Sequence, residues 1–355
     1  MKIAVTGASG NLGSALLRRL SKGGAGGAAG AGGAAGGANG GGAGHEVVGV
    51  SRRAPSNPVG TASWSEIDVG ADDAVARLSD AFAGCDAVVH LAWMIQPGHD
   101  EGLLARTNVR GTRNVVHAAE AAGVRHVVAA SSVGAYAPGP GKRDLVDESW
   151  PTSGVRTSSY SRHKAELERT LDELAARRPD VVVTRVRPAL IFQAGAASEI
   201  ARLFLGPFVP TRLAGRVRLP VLPLPGAFTF QAVHADDVAA AFHLVLEERA
   251  AGAFNVAAEP VLTPDDLAKA IGARRAVPVP LGLVRGAAAV TWHARLQPTD
   301  VGWVDLASKS PLMSTAAVRG LGWAPERGSR DALAELVTGM RAGTGDPAYP
   351  PLHAR

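Results

Sequence analysis

A short apolar run, Lys2-Ile3-Ala4-Val5, leads into Thr6-Gly7-Ala8-Ser9-Gly10-Asn11-Leu12-Gly13, after which Leu12, Leu16, Leu17 and Leu20 recur at helical spacing through Ser21. A strand, a turn with glycines at 7, 10 and 13, and an amphipathic helix leave few folds open. The turn has no Cβ in the way, so backbone N–H groups and the helix N-terminus can meet a pyrophosphate. The chain is therefore expected to open with the first βα unit of a Rossmann-type sheet, with Gly7, Gly10, Asn11, Leu12 and Gly13 against a dinucleotide.

The pattern that follows extends this unit. Strands are expected at 46–50, 65–69, 86–91, 125–131 and 181–187, alternating with helices at 71–83, 108–122 and 159–176. That alternation means right-handed crossovers and an α/β, doubly wound parallel sheet. Residues 23–44 contain only glycine, alanine and Asn39. With no side chains to bury, they read as a flexible surface insertion whose closure costs little. After Pro188 prolines crowd 207–225 and the alternation weakens. Residues 1–189 are expected to form the dinucleotide-binding domain, and a helix at 235–248 and a strand at 253–256 to return to it within 231–257. Residues 190–230 and 258–355 then make a smaller, discontinuous C-terminal substrate lobe, with the ligand in the cleft between.

Composition removes several function classes. With 46% hydrophobic and 19% charged residues in 355, the chain is of globular type. The net charge of +5 raises nucleic acid as a partner, but the basic residues are scattered and aromatics are only 5%. No stacking platform is visible, so no nucleic-acid partner is expected. The single cysteine, Cys85, allows no intrachain disulfide and no cysteine metal cluster, and fits a reducing, cytoplasmic setting. Neither a signal peptide nor a membrane span is apparent. No HExxH zinc signature occurs, Gly141-Lys142 is not followed by Ser or Thr as a P-loop requires, and no metal is expected.

The end of the second strand bears on which dinucleotide is bound. An acidic residue there would contact a free ribose 2′-hydroxyl. The chain instead reads Val50-Ser51-Arg52-Arg53. A hydroxyl and two guanidinium groups suit a 2′-phosphate, which favours NADP(H), with NAD(H) as the alternative.

Tyr160-Ser161-Arg162-His163-Lys164 sets a phenol and an ammonium four apart on an expected helix, hence on one face. In a chain with three tyrosines, roughly 0.05 such pairs arise by chance. A phenol is a poor base at neutral pH, and a nearby ammonium is expected to lower its pKa so that Tyr160 can exchange a proton with a substrate oxygen. Ser131-Ser132 closes the fifth strand, where a hydroxyl can polarise the same oxygen.

With these residues in hand, the chain resembles the extended short-chain dehydrogenase/reductase family, which includes nucleotide-sugar epimerases, dehydratases and reductases. Residues 6–13 look like its TGxxGxxG. Asp68-Val69 is similar to the acidic pair that contacts adenine. His90-Leu91-Ala92-Trp93 stands at its fourth-strand motif, with Trp93 in place of a small residue. Asn108-Val109-Arg110-Gly111-Thr112-Arg113-Asn114 is similar to NVxGTxN, and Ser131–Tyr136 to SSxxxYG, with Ala137 after the tyrosine. Arg187-Pro188, residues 233–239 and Leu321-Gly322-Trp323-Ala324-Pro325 match further signatures. The resemblance implies Ser132, Tyr160 and Lys164 as catalytic residues. Cofactor contacts are implied from the glycine turn, Ser51, Arg52, Arg53, Asp68, Val69, Leu91, Ala92, Trp93, Asn108, Tyr160, Lys164 and Pro188. It assigns His234 and the following aspartates a structural role, and implies dimerisation through helices near 100–122 and 156–177.

The function expected is hydride transfer at a carbonyl, an alcohol or a nucleotide sugar, by an epimerase, dehydratase or reductase. The alternative is an NADP-binding redox-sensing regulator without catalysis. Substrate contacts are sought at Met94 and Val133, within 94–99, 133–136 and 190–220. Phe204, Phe208, Arg212, Arg216 and Arg218 are further candidates.

Overall fold

The computed structural model describes residues 1–21, 44–56, 60–61, 63–95, 100–202 and 220–345. The insertion expected at 23–44 lies outside them except for Gly44, as do residues 96–99, Phe204, Phe208, Arg212, Arg216 and Arg218. In chain order the strands are β1 Lys2–Thr6, β2 Glu46–Ser51, β3 Ser63–Glu66, β4 Ala87–His90, β5 His126–Ala130, β6 Leu145–Val146 and β7 Val182–Pro188. They continue with β8 Leu190–Phe192, β9 Leu222–Leu224, β10 Phe230–His234, β11 Gly252–Val256, β12 Ala258–Leu262, β13 Ala276–Pro278 and β14 Leu312–Met313.

Seven of these form the central sheet in the order β11-β7-β5-β4-β1-β2-β3. Every neighbouring pair is parallel. The chain winds outward from β1 to β2 and β3 on one side, and from β4 to β5, β7 and β11 on the other. The order therefore reverses between β1 and β4, and a crevice opens at their carboxyl ends, where Thr6 lies opposite His90.

Period-two alternation sends successive side chains into two different cores. Ile3 and Val5 meet Leu16, Leu17 and Leu20 of the helix Asn11–Ser21, and Phe242, Val245 and Leu246 of the helix Ala235–Glu247. Ala4, Val88, Val127 and Ala129 face the opposite layer of Leu78, Phe82, Val115, Val116, Leu167 and Leu171. At about 2 kcal/mol for each fully buried leucine, these layers hold the sheet edge rigid beneath the site.

Beyond the sheet, β8, β10 and β12 form a small mixed sheet. The helix Ser329–Ala342 covers it, packing Leu333, Leu336 and Val337 against Phe192 and Leu262. Two parallel pairs, β9 with β13 and β6 with β14, complete the strands.

Two elements depart from the sequence expectation. The third strand was expected at 65–69 but ends at Glu66. The Asp68 carboxylate accepts the Gly70 N–H at 2.9 Å and Asn114 donates to the Val69 carbonyl at 2.8 Å, which turns the chain away from the sheet. The helix expected from 108 begins at Glu101, where Asp100 accepts the Leu103 N–H at 2.8 Å, and it carries one π-turn over Arg106–Arg110. Other boundaries lie within three residues of those expected. No helix among the described residues is long and apolar enough to cross a membrane.

Candidate active site

The glycine turn is built so that backbone can approach backbone. Gly7 has φ +71°, and its N–H donates to the Val50 carbonyl at 2.8 Å. A Cβ at Gly7 would lie 2.5 Å from the Ala92 nitrogen and 2.6 Å from the Leu91 carbonyl carbon. At Gly13 it would lie 2.6 Å from the Ala8 oxygen and closer still to the Gly7 oxygen. Only glycine leaves these two cradles open, and the helix Asn11–Ser21 starts directly behind them. A dinucleotide pyrophosphate fits this turn. Gly10 is less restricted, since a Cβ there would meet only the Gly7 oxygen, at 3.3 Å. Gln193, which the sequence did not single out, donates to the Asn11 carbonyl at 2.9 Å and to its side-chain oxygen, fixing the helix start.

A chain of hydrogen bonds sets the floor of the crevice. Thr112 donates to the Asn108 carbonyl at 2.6 Å, so its oxygen accepts from His90 Nε2 at 3.0 Å. His90 Nδ1 is then the acceptor for the Thr6 hydroxyl at 2.8 Å. Burial, helped by the Lys164 charge, pushes the His90 pKa down to about 3, so the imidazole stays neutral. Asn108, expected at the cofactor, binds the Met94 backbone through its amide. Its Oδ1 accepts the Met94 N–H at 2.8 Å and its Nδ2 donates to the Met94 carbonyl at 2.9 Å. Its role in this arrangement is to hold the half-buried segment Leu91-Ala92-Trp93-Met94 over the glycine turn.

Tyr160 and Lys164 share the helix Ser159–Arg177, whose first turn is capped by Ser158. Extended geometry at Ser132 turns consecutive hydroxyls apart. Ser131 donates to Glu168 at 2.5 Å, whereas the Ser132 oxygen accepts the Gly134 N–H at 3.0 Å beside Tyr160. Gly134 lies against the tyrosine ring, and a Cβ there would come within 2.7 Å of a ring carbon. The ring is flanked by Trp93 and Trp303 at centroid distances of 6.1 and 5.2 Å. Lys164 is 3% exposed; its ammonium donates to the Ala130 carbonyl at 2.8 Å and sits 3.4 Å over the Trp93 ring.

This corrects the expected direction of the Tyr160 shift. Burial pushes its pKa up to about 12, with the Ser132 hydroxyl acting the other way. The ammonium lies 6.0 Å from the tyrosine ring centroid and is spent on Ala130 and Trp93. Burial also brings Lys164 down to about 7 despite the Glu168 carboxylate. In this arrangement desolvation dominates both groups.

Behind Ser131 and Lys164 lies a buried ionic platform. Arg187 donates to both Glu168 oxygens at 2.8 and 2.9 Å and to the Tyr136 oxygen at 2.9 Å, while Tyr136 donates to Asn255 at 2.7 Å. Burial resists ionisation of Glu168, but the Arg187 hydrogen bonds and charge, with Ser131 and Arg185, hold its carboxyl below the usual range. Val133 packs against the Tyr136 cluster, and Pro188 is buried at the end of β7 opposite Val256. His234 ends β10 and Asp237 lies in the first turn of the helix Ala235–Glu247. Asp237 accepts the Glu326 and Arg327 N–H groups at 2.8 and 3.2 Å, and the ring of His234 meets Glu335 at 3.3 Å.

At the end of β2 the Ser51 hydroxyl donates to the Arg53 carbonyl at 2.6 Å. Arg52 and Arg53 are exposed, and neither guanidinium is engaged by another described residue. Asp68 lies 3.5 Å from Arg106, and Val69 is buried beside Gly111. Gly134, Trp303, Gln193 and Glu168 are the residues the sequence reading missed. Gly134 had a signal, since it falls inside the Ser131–Tyr136 segment; the other three come together only through the fold.

Residues 3–257 match the model of the NAD dependent epimerase/dehydratase family. An uncharacterised protein of Mycobacterium tuberculosis is 28% identical over 351 residues, covering 97% of this chain and 31% of its own length. The chain thus spans about a third of that relative. Among solved structures, MoeE5 in complex with UDP-glucuronic acid and NAD has a TM-score of 0.66 at 21% identity, over 97% of this chain and 100% of that one. A UDP-glucose 4-epimerase with UDP-glucose from Thermotoga maritima gives 0.67 at 19%, over 96% and 99%. These two share its fold. The family match runs from β1 through β11, across the glycine turn and the Ser132–Tyr160–Lys164 segment, and this chain belongs to the NAD dependent epimerase/dehydratase family.

Proposed function

We propose that the chain catalyses NAD(P)-dependent hydride transfer at a carbonyl or secondary alcohol, with a nucleotide sugar as the first substrate class to test. The carrying observation is the Tyr160–Lys164 helical turn packed against Ser132–Gly134, beside the 91–94 segment that covers the glycine turn. When bound, the dinucleotide supplies or accepts the hydride at its nicotinamide ring. Gly7, Gly10 and Gly13 would hold its pyrophosphate and Asp68-Val69 its adenine, with Lys164 at the nicotinamide ribose.

The protein's own part is the oxygen and its proton. With its pKa near 12, Tyr160 is protonated at neutral pH and poised to donate from its hydroxyl to a carbonyl oxygen. The Ser132 hydroxyl orients that oxygen. Running the reaction as an oxidation needs the phenolate, which a closer Lys164 ammonium favours. Arg52 and Arg53 support NADP(H) as the preferred dinucleotide, because two exposed guanidinium groups at the end of β2 suit a 2′-phosphate.

With this function go a Rossmann domain of 1–189 with 231–257, a substrate lobe of 190–230 with 258–355, a cytoplasmic setting and a homodimer. The test is a nicotinamide absorbance screen of nucleotide sugars and simple carbonyls with both dinucleotides. Turnover should fall at least about 100-fold in Tyr160→Phe, with dinucleotide affinity, followed by fluorescence, nearly unchanged. Full activity in Tyr160→Phe would overturn the assignment.

A further inference from the structure

At the amino end of the central sheet, away from the glycine turn, three metal-ligating side chains converge. His45 immediately precedes β2, and His243 and Glu247 lie one turn apart on the helix Ala235–Glu247. The two Nε2 atoms are 3.4 Å apart. Glu247 Oε1 lies 3.1 Å from His45 Nε2 and 3.9 Å from His243 Nε2.

Hydrogen bonding accounts poorly for this triangle. Only the 3.1 Å contact has good length, the carboxylate is beyond reach of His243, and two ring nitrogens face each other. Coordination accounts for all three distances. A point about 2 Å from each atom exists, which matches Zn–N and Zn–O bonds, and tetrahedral ligands at that length stand about 3.3 Å apart. The histidine side chains are mostly buried, at 12% and 18% exposed, so their ring positions are fixed by packing. Glu247 is 46% exposed, which leaves the cluster open to an ion from solvent.

We propose that His45, His243 and Glu247 bind a divalent transition-metal ion of the zinc type, with water as fourth ligand, clipping the start of β2 to the helix Ala235–Glu247. His45 immediately follows the Gly/Ala tract that ends at Gly44. The clip fixes where the chain re-enters the sheet. It departs from the sequence expectation of no metal because two of its ligands are 198 residues apart.

The test uses the untagged full-length chain, stripped with a chelator and titrated first with Co2+ and then with Zn2+. One equivalent of Co2+ should bind with a tetrahedral visible spectrum that Zn2+ displaces, and Tm should rise with Zn2+ concentration. His243→Asn and Glu247→Gln should each weaken binding at least about 10-fold and remove the Zn2+-dependent Tm rise. Should His243→Asn fail to fold, Glu247→Gln decides, because its side chain is half exposed. No stoichiometric binding by the wild type, or wild-type binding in Glu247→Gln, overturns the proposal.

Discussion

A buried ammonium is costly unless its environment replaces water, and the Ala130 carbonyl, the Trp93 indole face and the Glu168 charge do so incompletely for Lys164. The folded chain therefore holds this proton less tightly than an unfolded chain, whose lysine keeps the usual 10.5. Between about 7 and 10.5 the unfolded state binds more protons, so this residue disfavours folding at neutral pH and the penalty is relieved as pH rises. Lys164→Met should accordingly lose at least about 100-fold in turnover while Tm at pH 7 holds or rises. A clear fall in Tm on thermal melting would contradict this account. The Tyr160–Lys164 pair was legible as a spacing, since four residues on a helix always share a face. Its electrostatics were not, because the Ala130 carbonyl, Trp93 and Trp303 arrive from elsewhere in the chain.

Among the elements, the glycine turn was the most legible. Residues 6–13 carry their own geometry, and each glycine answers to atoms within the unit or to Leu91 and Ala92 just after β4. Gly13→Ala would drive a methyl group into the Gly7 and Ala8 oxygens. It should cost about 1–3 kcal/mol in urea unfolding and abolish measurable dinucleotide binding by fluorescence titration. An alanine variant that binds as tightly as wild type would show the cradle is elsewhere. The helix Glu101–Ala121 was less legible. Its π-turn at Arg106–Arg110 accompanies the inward placement of Thr107 and Asn108, which are buried, and spacing rules for a regular α-helix cannot anticipate an extra residue in one turn.

Across the whole molecule, buried titratable groups make acid the expected route to unfolding. Burial holds His90 at about 3 and His126 at about 4, so the unfolded chain takes up protons first as pH falls below 6.5. Glu168, held ionised by Arg187, adds a loss at lower pH for the same reason. The urea midpoint should fall steadily from pH 7 to pH 4, and His126→Gln should flatten the upper part of that fall. A midpoint independent of pH over this range would rule the account out.

The sequence by itself determined what depends on neighbours along the chain: strand and helix order, the glycine turn, the Tyr160–Lys164 face and the family resemblance. These follow from backbone sterics and from periods of two and 3.6 residues, which operate over a few positions. Only the tertiary structure decided which distant groups share a desolvated volume. It gave Asn108 to Met94, Glu168 to Arg187, Trp93 to Lys164, and His45 to His243. Hydrogen bonding and charge in a low-dielectric interior depend on ångström-scale distances, and those exist only once the two cores have closed around the sheet.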